Sequence, residues 1–125
     1  MRSRVLVIDD HDVAREYMSR LLVDHGYHVE SQASAIGATR AIVREQIAVV
    51  VLDVEMPAIT GDKLIALFRK NPRFDKLGIV LVSGKERDEL EAFGQAVGAN
   101  AVVPKKFLDQ ELVNTVASVL VWCTT

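Results

Sequence analysis

The most hydrophobic stretch of the chain is Ala-Val-Val-Val-Leu-Asp, residues 48–53, and it ends in a carboxylate. An apolar run of this length is typical of a β-strand that other structure covers on both faces. We therefore expect Ala48–Asp53 to be the central strand of a sheet, with the Asp53 side chain at the carboxyl end of that strand.

Three other short apolar segments are each followed by acidic, hydroxyl or ammonium groups. These segments, with the groups that follow them, are Arg4–Ile8 (Asp9 and Asp10), Ile79–Val82 (Ser83) and Ala101–Val103 (Pro104, then Lys105). The carboxyl ends of parallel strands lie along one edge of a sheet, and open α/β sheets bind their ligands at that edge. The pattern therefore predicts one site in which these groups converge.

Strand-like and helix-like windows alternate along the chain, which favours βαβ units and a parallel sheet. The predicted strands are Val5–Asp9, Tyr27–Ser31, Ala48–Asp53, Ile79–Val82 and Ala101–Val103. The predicted helices are Asp12–His25, Ala35–Glu45, Asp62–Lys70, Glu86–Val97 and Asp109–Val121. Because parallel crossovers are right-handed almost without exception, this order predicts a three-layer α/β/α sandwich.

Some local patterns in these elements are specific enough to be compared with a structure. The more polar segment Tyr27–Ser31 is expected at an edge of the sheet, and Ser34 is expected to cap the helix that follows it. A loop is expected over residues 56–61. In the first helix, apolar side chains recur at helical spacing in two neighbouring stripes, which are Val13, Tyr17 and Leu21, and Met18 and Leu22.

Composition limits the classes of protein to consider. The chain has 125 residues, half of them hydrophobic, which suits one domain over residues 1–125 and argues against disorder. Its formal net charge of −2 gives no indication of a nucleic-acid surface. No apolar segment approaches the roughly 20 residues that a membrane-spanning helix needs. The single cysteine, Cys123, allows no internal disulfide. We expect a cytoplasmic protein with neither nucleic-acid nor membrane binding.

Asp9, Asp10 and Asp53 would form a cluster of carboxylates. Like charges at close range raise one another's pKa and destabilise the protein, and a hard divalent cation relieves that cost. Oxygen ligands favour Mg²⁺, with Mn²⁺ as an alternative, over zinc. His11, next to the acidic pair, is expected to be a solvent-facing loop residue rather than a ligand.

Asp53 differs from the other acids because it ends the most buried strand. A carboxylate fixed there can act as a nucleophile and form an acyl phosphate. Lys105 would neutralise the phosphoryl charge, and Ser83, followed by the small Gly84, could donate a hydrogen bond to a phosphoryl oxygen. A standing metal site without a covalent step remains open on these residues alone.

The sequence resembles the receiver domains of bacterial two-component response regulators over almost its whole length. The segments that carry the resemblance are Val-Ile-Asp-Asp at 7–10, Leu-Asp-Val-Glu-Met-Pro at 52–57 followed by Gly61, Val-Ser-Gly at 82–84, and Gly98-Ala99 leading to Lys105 and Phe107. The resemblance implies a flavodoxin-like doubly wound fold with five parallel strands in the order 2-1-3-4-5.

The resemblance also implies a phosphorelay function and a role for each site residue. Asp53 would accept a phosphoryl group from a sensor histidine kinase or a histidine phosphotransfer protein. Asp10, Asp53 and the backbone carbonyl of Glu55 would bind Mg²⁺, with Asp9 binding through water. Ser83 would be the switch hydroxyl and Lys105 the lysine that contacts the phosphoryl group. Phosphorylation would shift the surface of the fourth helix, fifth strand and fifth helix, which would control a partner or output domain; no output domain is expected within this chain.

The chain departs from the family pattern at two positions near Lys105. Receivers commonly place proline after the lysine with a cis bond, whereas Lys106 stands here and Pro104 precedes the lysine. Because a cis bond before a non-proline residue costs about 2.5–4 kcal/mol, we expect a trans Lys105–Lys106 bond, with Lys106 as an alternative phosphate lysine. Val102 replaces the aromatic residue that often turns inward on activation, so the usual coupling to the output surface is in doubt.

The resemblance implies that Glu55 and Lys85 flank the route of the water that hydrolyses the acyl phosphate. They could form an ion pair that slows hydrolysis by excluding water, or they could be two independent solvated side chains.

The same residues allow functions other than a signalling switch. An unphosphorylated receiver acting as a scaffold is the first. A phosphatase with an aspartyl nucleophile is the second, disfavoured because such enzymes usually carry another aspartate two residues later, where this chain has Glu55.

Overall fold

The computed structural model describes residues 3–56 and 61–123, which form one five-stranded parallel sheet in the order β2-β1-β3-β4-β5. The strands are β1 (Arg4–Ile8), β2 (His28–Gln32), β3 (Val49–Asp53), β4 (Gly78–Ser83) and β5 (Ala101–Pro104). The predicted strand order is confirmed, and the polar strand β2 lies at an edge as expected. Most of the predicted 56–61 loop lies outside the described residues.

The helices within the described residues pack on both faces of the sheet. They are α1 (Asp12–Asp24), α2 (Ala38–Arg44), α3 (Gly61–Lys70), α4 (Arg87–Val97) and α5 (Leu108–Cys123). One hydrophobic cluster joins α2, α3 and α4 to the sheet, and a second joins α1 and α5 to the opposite face. The three-layer α/β/α sandwich is therefore confirmed. None of the described helices combines the length and hydrophobicity needed to cross a membrane.

Strand β3 owes its central position to its apolar side chains, which are buried on both faces of the sheet. Val50 and Leu52 belong to one hydrophobic cluster, and Val49 and Val51 belong to the other. This alternation follows from the period of two along a strand. The strand pairs with β1 and β4 in register, which places Asp53 at the carboxyl-terminal edge of the sheet.

The start of α2 differs from the prediction. The helix begins at Ala38, and Gly37, with φ of 79°, occupies the N-cap position expected for Ser34. The Ser34 hydroxyl instead accepts a hydrogen bond from the Ile36 amide at 3.3 Å, while the Gln32 side chain donates to the Ser34 and Ile36 carbonyls. These local side-chain bonds stabilise a turn in place of the first helical turn.

Only one of the two apolar stripes of α1 is buried. Met18 and Leu22 are inaccessible, whereas Val13 is 82% exposed and Tyr17 is 42% exposed. The stripes are displaced by one residue, about 100° around the helix, so they cannot both point at the sheet. Helical periodicity identified both stripes but could not choose between them.

Helix α5 extends two residues beyond the predicted end at Val121 and brings Cys123 against the sheet. The Cys123 sulfur lies 3.6 Å from the carbonyl oxygen of Ala48, at the edge of the sheet opposite the carboxyl ends of the strands. Burial raises the pKa of the Cys123 thiol, which is therefore a packed side chain and a poor nucleophile at neutral pH.

Candidate functional site

The ends of β1, β3 and β5 bring two carboxylates and an ammonium group together. The Asp9 and Asp53 side chains are buried at the ends of adjacent strands. The Lys105 Nζ lies 3.0 Å from Oδ2 of Asp9 and 3.4 Å from Oδ2 of Asp53. The convergence expected from the sequence is therefore present, and Asp10 lies beside it at the surface.

Lys105 reaches the carboxylates because it directly follows β5. The Lys105–Lys106 bond is trans, as expected without a proline there. Burial tends to lower the Lys105 pKa, but the hydrogen bond to Asp9 and the charges of both carboxylates outweigh it and raise the pKa. The alternative Lys106 points elsewhere, since its Nζ lies 2.8 Å from Glu86.

The two buried carboxylates have different proton affinities. Burial, together with the nearby Asp9 charge, raises the pKa of Asp53, although the Glu55 amide and Lys105 oppose that rise. Burial also acts to raise the pKa of Asp9, but hydrogen bonds from the His11 amide and Lys105 outweigh it and lower that pKa. The ionised form of Asp53 is therefore less stable than that of Asp9. An added cation or a covalent bond at Asp53 would relieve more of the free-energy cost of its negative charge.

The donor set fits a hard divalent cation. Within the described residues, Oδ2 of Asp53 is buried without a hydrogen bond, and Oδ2 of Asp9 is buried with the Lys105 ammonium 3.0 Å away. Oδ1 of Asp53 accepts a bond from the Glu55 amide at 3.0 Å. Together with Asp10, these side chains offer carboxylate oxygens within 4.8 Å of one another. Such oxygen-rich sites suit Mg²⁺ or Mn²⁺.

His11 faces solvent as expected, with 63% of its side chain exposed, but it also contacts the acidic cluster. Its Nδ1 lies 3.2 Å from Asp9 Oδ1, 3.2 Å from Asp10 Oδ1 and 3.6 Å from Asp53 Oδ2. The backbone amide of His11 also donates to Asp9 Oδ1 at 2.9 Å, which places the residue over the acidic cluster. Adjacency to the acidic pair was the only signal of this position in the sequence.

Arg15 was also missed by sequence reasoning. Its guanidinium donates to the Asp9 carbonyl at 3.0 Å and to the Asp12 carboxylate at 2.8 Å. It thereby connects the end of β1 to the first turn of α1 and stabilises the backbone that carries Asp9. An arginine one turn into an amphipathic helix gives no sequence signal for such a role.

The Ser83 hydroxyl is buried and already has partners. It donates a hydrogen bond to the Glu55 carboxylate and accepts one from the Lys85 amide at 3.0 Å. The ion pair considered between Glu55 and Lys85 does not form, because the Lys85 ammonium lies 2.9 Å from Glu89 and the Glu55 carboxylate binds Ser83 instead. Lys85 lies two residues before α4, and Glu89 in the first turn of that helix is within its reach.

Val102, which stands where receivers often have an aromatic residue, forms a close contact between β5 and α4. A Cβ atom added to Gly94 would lie 2.6 Å from Cγ1 of Val102, so the missing side chain of Gly94 is what lets the helix approach. The surface formed by α4 and β5 is therefore closely packed around Val102 without an aromatic side chain at that position.

Comparison with known proteins agrees with this geometry. The family described as "Response regulator receiver domain" matches residues 5–117. The chain belongs to this receiver family. Its members are components of two-component phosphorelay systems, and they are generally signalling domains rather than enzymes of metabolism. The acidic pocket of this chain fits the Mg²⁺ binding and phosphorylation of the family.

The curated relatives match nearly all of this chain but are themselves longer proteins. Response regulator MprA of Mycobacterium sp. (strain KMS) is 31% identical over 120 residues, which is 96% of this chain and 51% of that protein. MprA of Mycobacterium leprae is 29% identical over 94% of this chain and 50% of its own length. The receiver therefore spans about half the length of the curated relatives that it matches.

Solved structures extend the likeness to the whole fold. Chemotaxis protein CheY4 of Vibrio cholerae has a TM-score of 0.85 and 28% identity, covering 95% of this chain and 99% of that chain. Response regulator TrrA of Thermotoga maritima, solved in complex with Mg²⁺ and BeF, has a TM-score of 0.78 and 27% identity, covering 94% and 98%.

Proposed function

We propose that this receiver accepts a phosphoryl group on Asp53 from the phosphohistidine of a sensor kinase or histidine phosphotransfer protein in the cytoplasm. The observation that carries the proposal is the environment of Asp53. One carboxylate oxygen accepts the Glu55 amide, while the other is buried without a hydrogen bond, 3.4 Å from the Lys105 ammonium. A carboxylate so placed is fixed in position and has one oxygen free to react.

Transfer would form a bond between an Asp53 oxygen and phosphorus as the phosphorus–nitrogen bond of the donor breaks. The donor imidazole would leave with the electron pair and take a proton from water. Lys105 would stabilise the charge on the transferring phosphoryl oxygens, because its raised pKa keeps it protonated at neutral pH. Its present contacts with Asp9 and Asp53 place it within reach of that charge.

The residues proposed to bind Mg²⁺ are Asp10, Asp53 and the Glu55 carbonyl directly, and Asp9 through water. When bound, the metal supplies positive charge that offsets the carboxylates and the phosphoryl group. Mn²⁺ would serve the same purpose. The burial of Asp9 and Asp53 supports this assignment, because the two carboxylates carry more negative charge than the single Lys105 ammonium can offset.

Phosphorylation would act on the rest of the molecule through Ser83. The phosphoryl group adds roughly −1.5 to −2 charge at neutral pH, and it needs the hydroxyl proton that Ser83 now gives to Glu55. Ser83 would exchange partners, and the loop leading to α4 would move with it. The surface of α4, β5 and α5 would then change its affinity for a partner or output domain.

Intact mass after incubation with Mg²⁺ and acetyl phosphate, and separately with a phosphorylated kinase, tests the proposal. We expect one added phosphoryl group in the wild type and in Asp24→Asn, a control at an exposed acid of α1. Asp53→Asn should gain none. An adduct that persists in Asp53→Asn would refute the acceptor assignment. No adduct with either donor, together with no Mg²⁺ binding, would favour an unphosphorylated scaffold.

A further inference from the structure

We propose that His11 is a ligand of the metal site and that its nitrogen raises the affinity of this site for imidazole-binding metals, such as Co²⁺ and Zn²⁺, relative to Mg²⁺. The proposal rests on the carboxylate metal site described under the proposed function, and it adds a nitrogen donor to that site. It is independent of whether Asp53 becomes phosphorylated.

The spacing of the ligand atoms carries the inference. His11 Nδ1 lies 3.2 Å from Asp10 Oδ1 and 3.6 Å from Asp53 Oδ2, the side-chain atoms of the two proposed direct ligands. It also lies within hydrogen-bonding distance of Asp9 Oδ1, at 3.2 Å. Metal–nitrogen and metal–oxygen bonds of about 2.0–2.2 Å place neighbouring ligand atoms about 3.0 Å apart in an octahedron and about 3.4 Å apart in a tetrahedron. The spacings to Asp10 and Asp53 are close to those of ligands that share one ion.

A second observation points independently to an ion at this place. Oδ2 of Asp53 is buried without a hydrogen bond within the described residues, with the Lys105 ammonium 3.4 Å away, and it is one of the atoms that the imidazole approaches. The amide of His11 is fixed by its 2.9 Å bond to Asp9, while the ring remains largely exposed. The ring can therefore turn to present Nδ1 to an ion that enters from solvent.

The identity of the donor sets the expected preference among metals. Mg²⁺ strongly prefers oxygen, whereas imidazole suits Co²⁺, Zn²⁺ and other first-row metals, whose affinities also rise along the Irving–Williams order. A site with carboxylates alone would discriminate less among these ions. The alternative role for His11 is that of a protonated counter-charge to the acids, which would make it compete with every divalent cation.

Metal titrations of His11→Gln distinguish these roles. We expect the ratio of Co²⁺ to Mg²⁺ affinity, from Co²⁺ visible absorption and calorimetry, to fall at least about tenfold in His11→Gln, a loss typical for altered metal ligation. In electron spin-echo spectra of bound Mn²⁺, the modulation caused by an imidazole nitrogen should disappear in the same variant. Unchanged affinity ratios, or a rise in affinity for all the ions, would overturn the proposal.

Two controls make the result specific to this site. His28, with Glu30 and Glu45, forms another group that could hold a metal, at the other end of the sheet. His28→Gln should retain the wild-type Co²⁺ spectrum, and a lost spectrum would assign the ion to that group and overturn the proposal. Intact mass with Mg²⁺ and acetyl phosphate separates the two proposals, because an adduct that persists in Asp53→Asn would refute only the acceptor assignment.

Discussion

Removing the Glu55 carboxylate should make the phosphorylated state easier to reach. The buried Ser83 hydroxyl donates to Glu55, so a phosphoryl group on Asp53 must compete for that proton. Hydrogen bonds to charged acceptors contribute about 1.5–3 kcal/mol. Because Glu55 is exposed to solvent, we expect about 1 kcal/mol, which corresponds to about a fivefold change in an equilibrium constant.

Beryllofluoride binding in the presence of Mg²⁺ measures this competition at equilibrium. We expect Glu55→Ala to tighten beryllofluoride binding about fivefold. Binding can be monitored by the NMR resonance of the Lys85 amide, which donates to the Ser83 oxygen. The substitution retains the backbone carbonyl proposed as a metal ligand. Glu55→Gln keeps a hydrogen-bond acceptor but removes the charge, so it separates release of the hydroxyl from relief of charge repulsion.

A double-mutant cycle provides the decisive control. In a Ser83→Ala background there is no hydroxyl to release, so Glu55→Ala should lose most of its effect. If Glu55→Ala weakened beryllofluoride binding, or if its benefit were the same with and without Ser83, the competition between Glu55 and the phosphoryl group would be refuted.

Other predictions concern stability and are testable by urea unfolding without metal. The folded-state pKa of Asp53 is raised above 3.8, so its stabilising contribution is present when it is protonated and is lost as the pH rises through the raised pKa. Asp53→Asn should therefore raise the unfolding free energy at pH 7 by about 0.5–2 kcal/mol, and a gain that persists unchanged at acid pH would contradict this. The folded-state pKa of Lys105 is raised above 10.5, so its contribution is complete at neutral pH and is lost only at more alkaline pH. Lys105→Ala should cost about 1.5–3 kcal/mol at pH 7, whereas Lys106→Ala, as the matched control, should cost less than about 1 kcal/mol. Gly94→Ala should cost about 1–3 kcal/mol through its clash with Val102, and Val102→Ala should reduce that cost; equal costs in both backgrounds would show that the contact is unimportant.

The sequence was sufficient for the sheet because burial along a strand is a local pattern. The run 48–53 is short and rich in valine, which is typical of a covered strand, and its neighbours end in groups that a parallel topology brings to one edge. Asp9, Asp53 and Lys105 converge for that reason alone. Helix α2 was less predictable, because the turn before Gly37 depends on side-chain bonds from Gln32 and Ser34 that compete with a helical turn.

The partners of the site residues could not be derived from sequence spacing. Glu55 binds Ser83 and not Lys85 because the loops after β3 and β4 place the hydroxyl nearer than the ammonium, which binds Glu89 in the first turn of α4. His11 faces the acids because its amide is fixed by Asp9. Such choices depend on the conformation of loops, where no periodicity constrains the side chains.

Borohydride trapping followed by peptide mapping tests the central claim most directly. Borohydride reduces an acyl phosphate to an alcohol, so a phosphorylated aspartate becomes homoserine at its own position. After phosphorylation with Mg²⁺ and acetyl phosphate, the account predicts homoserine at residue 53 and unmodified Asp9 and Asp10. Homoserine at residue 9 or 10, or an adduct on His11 that resists reduction, would contradict it.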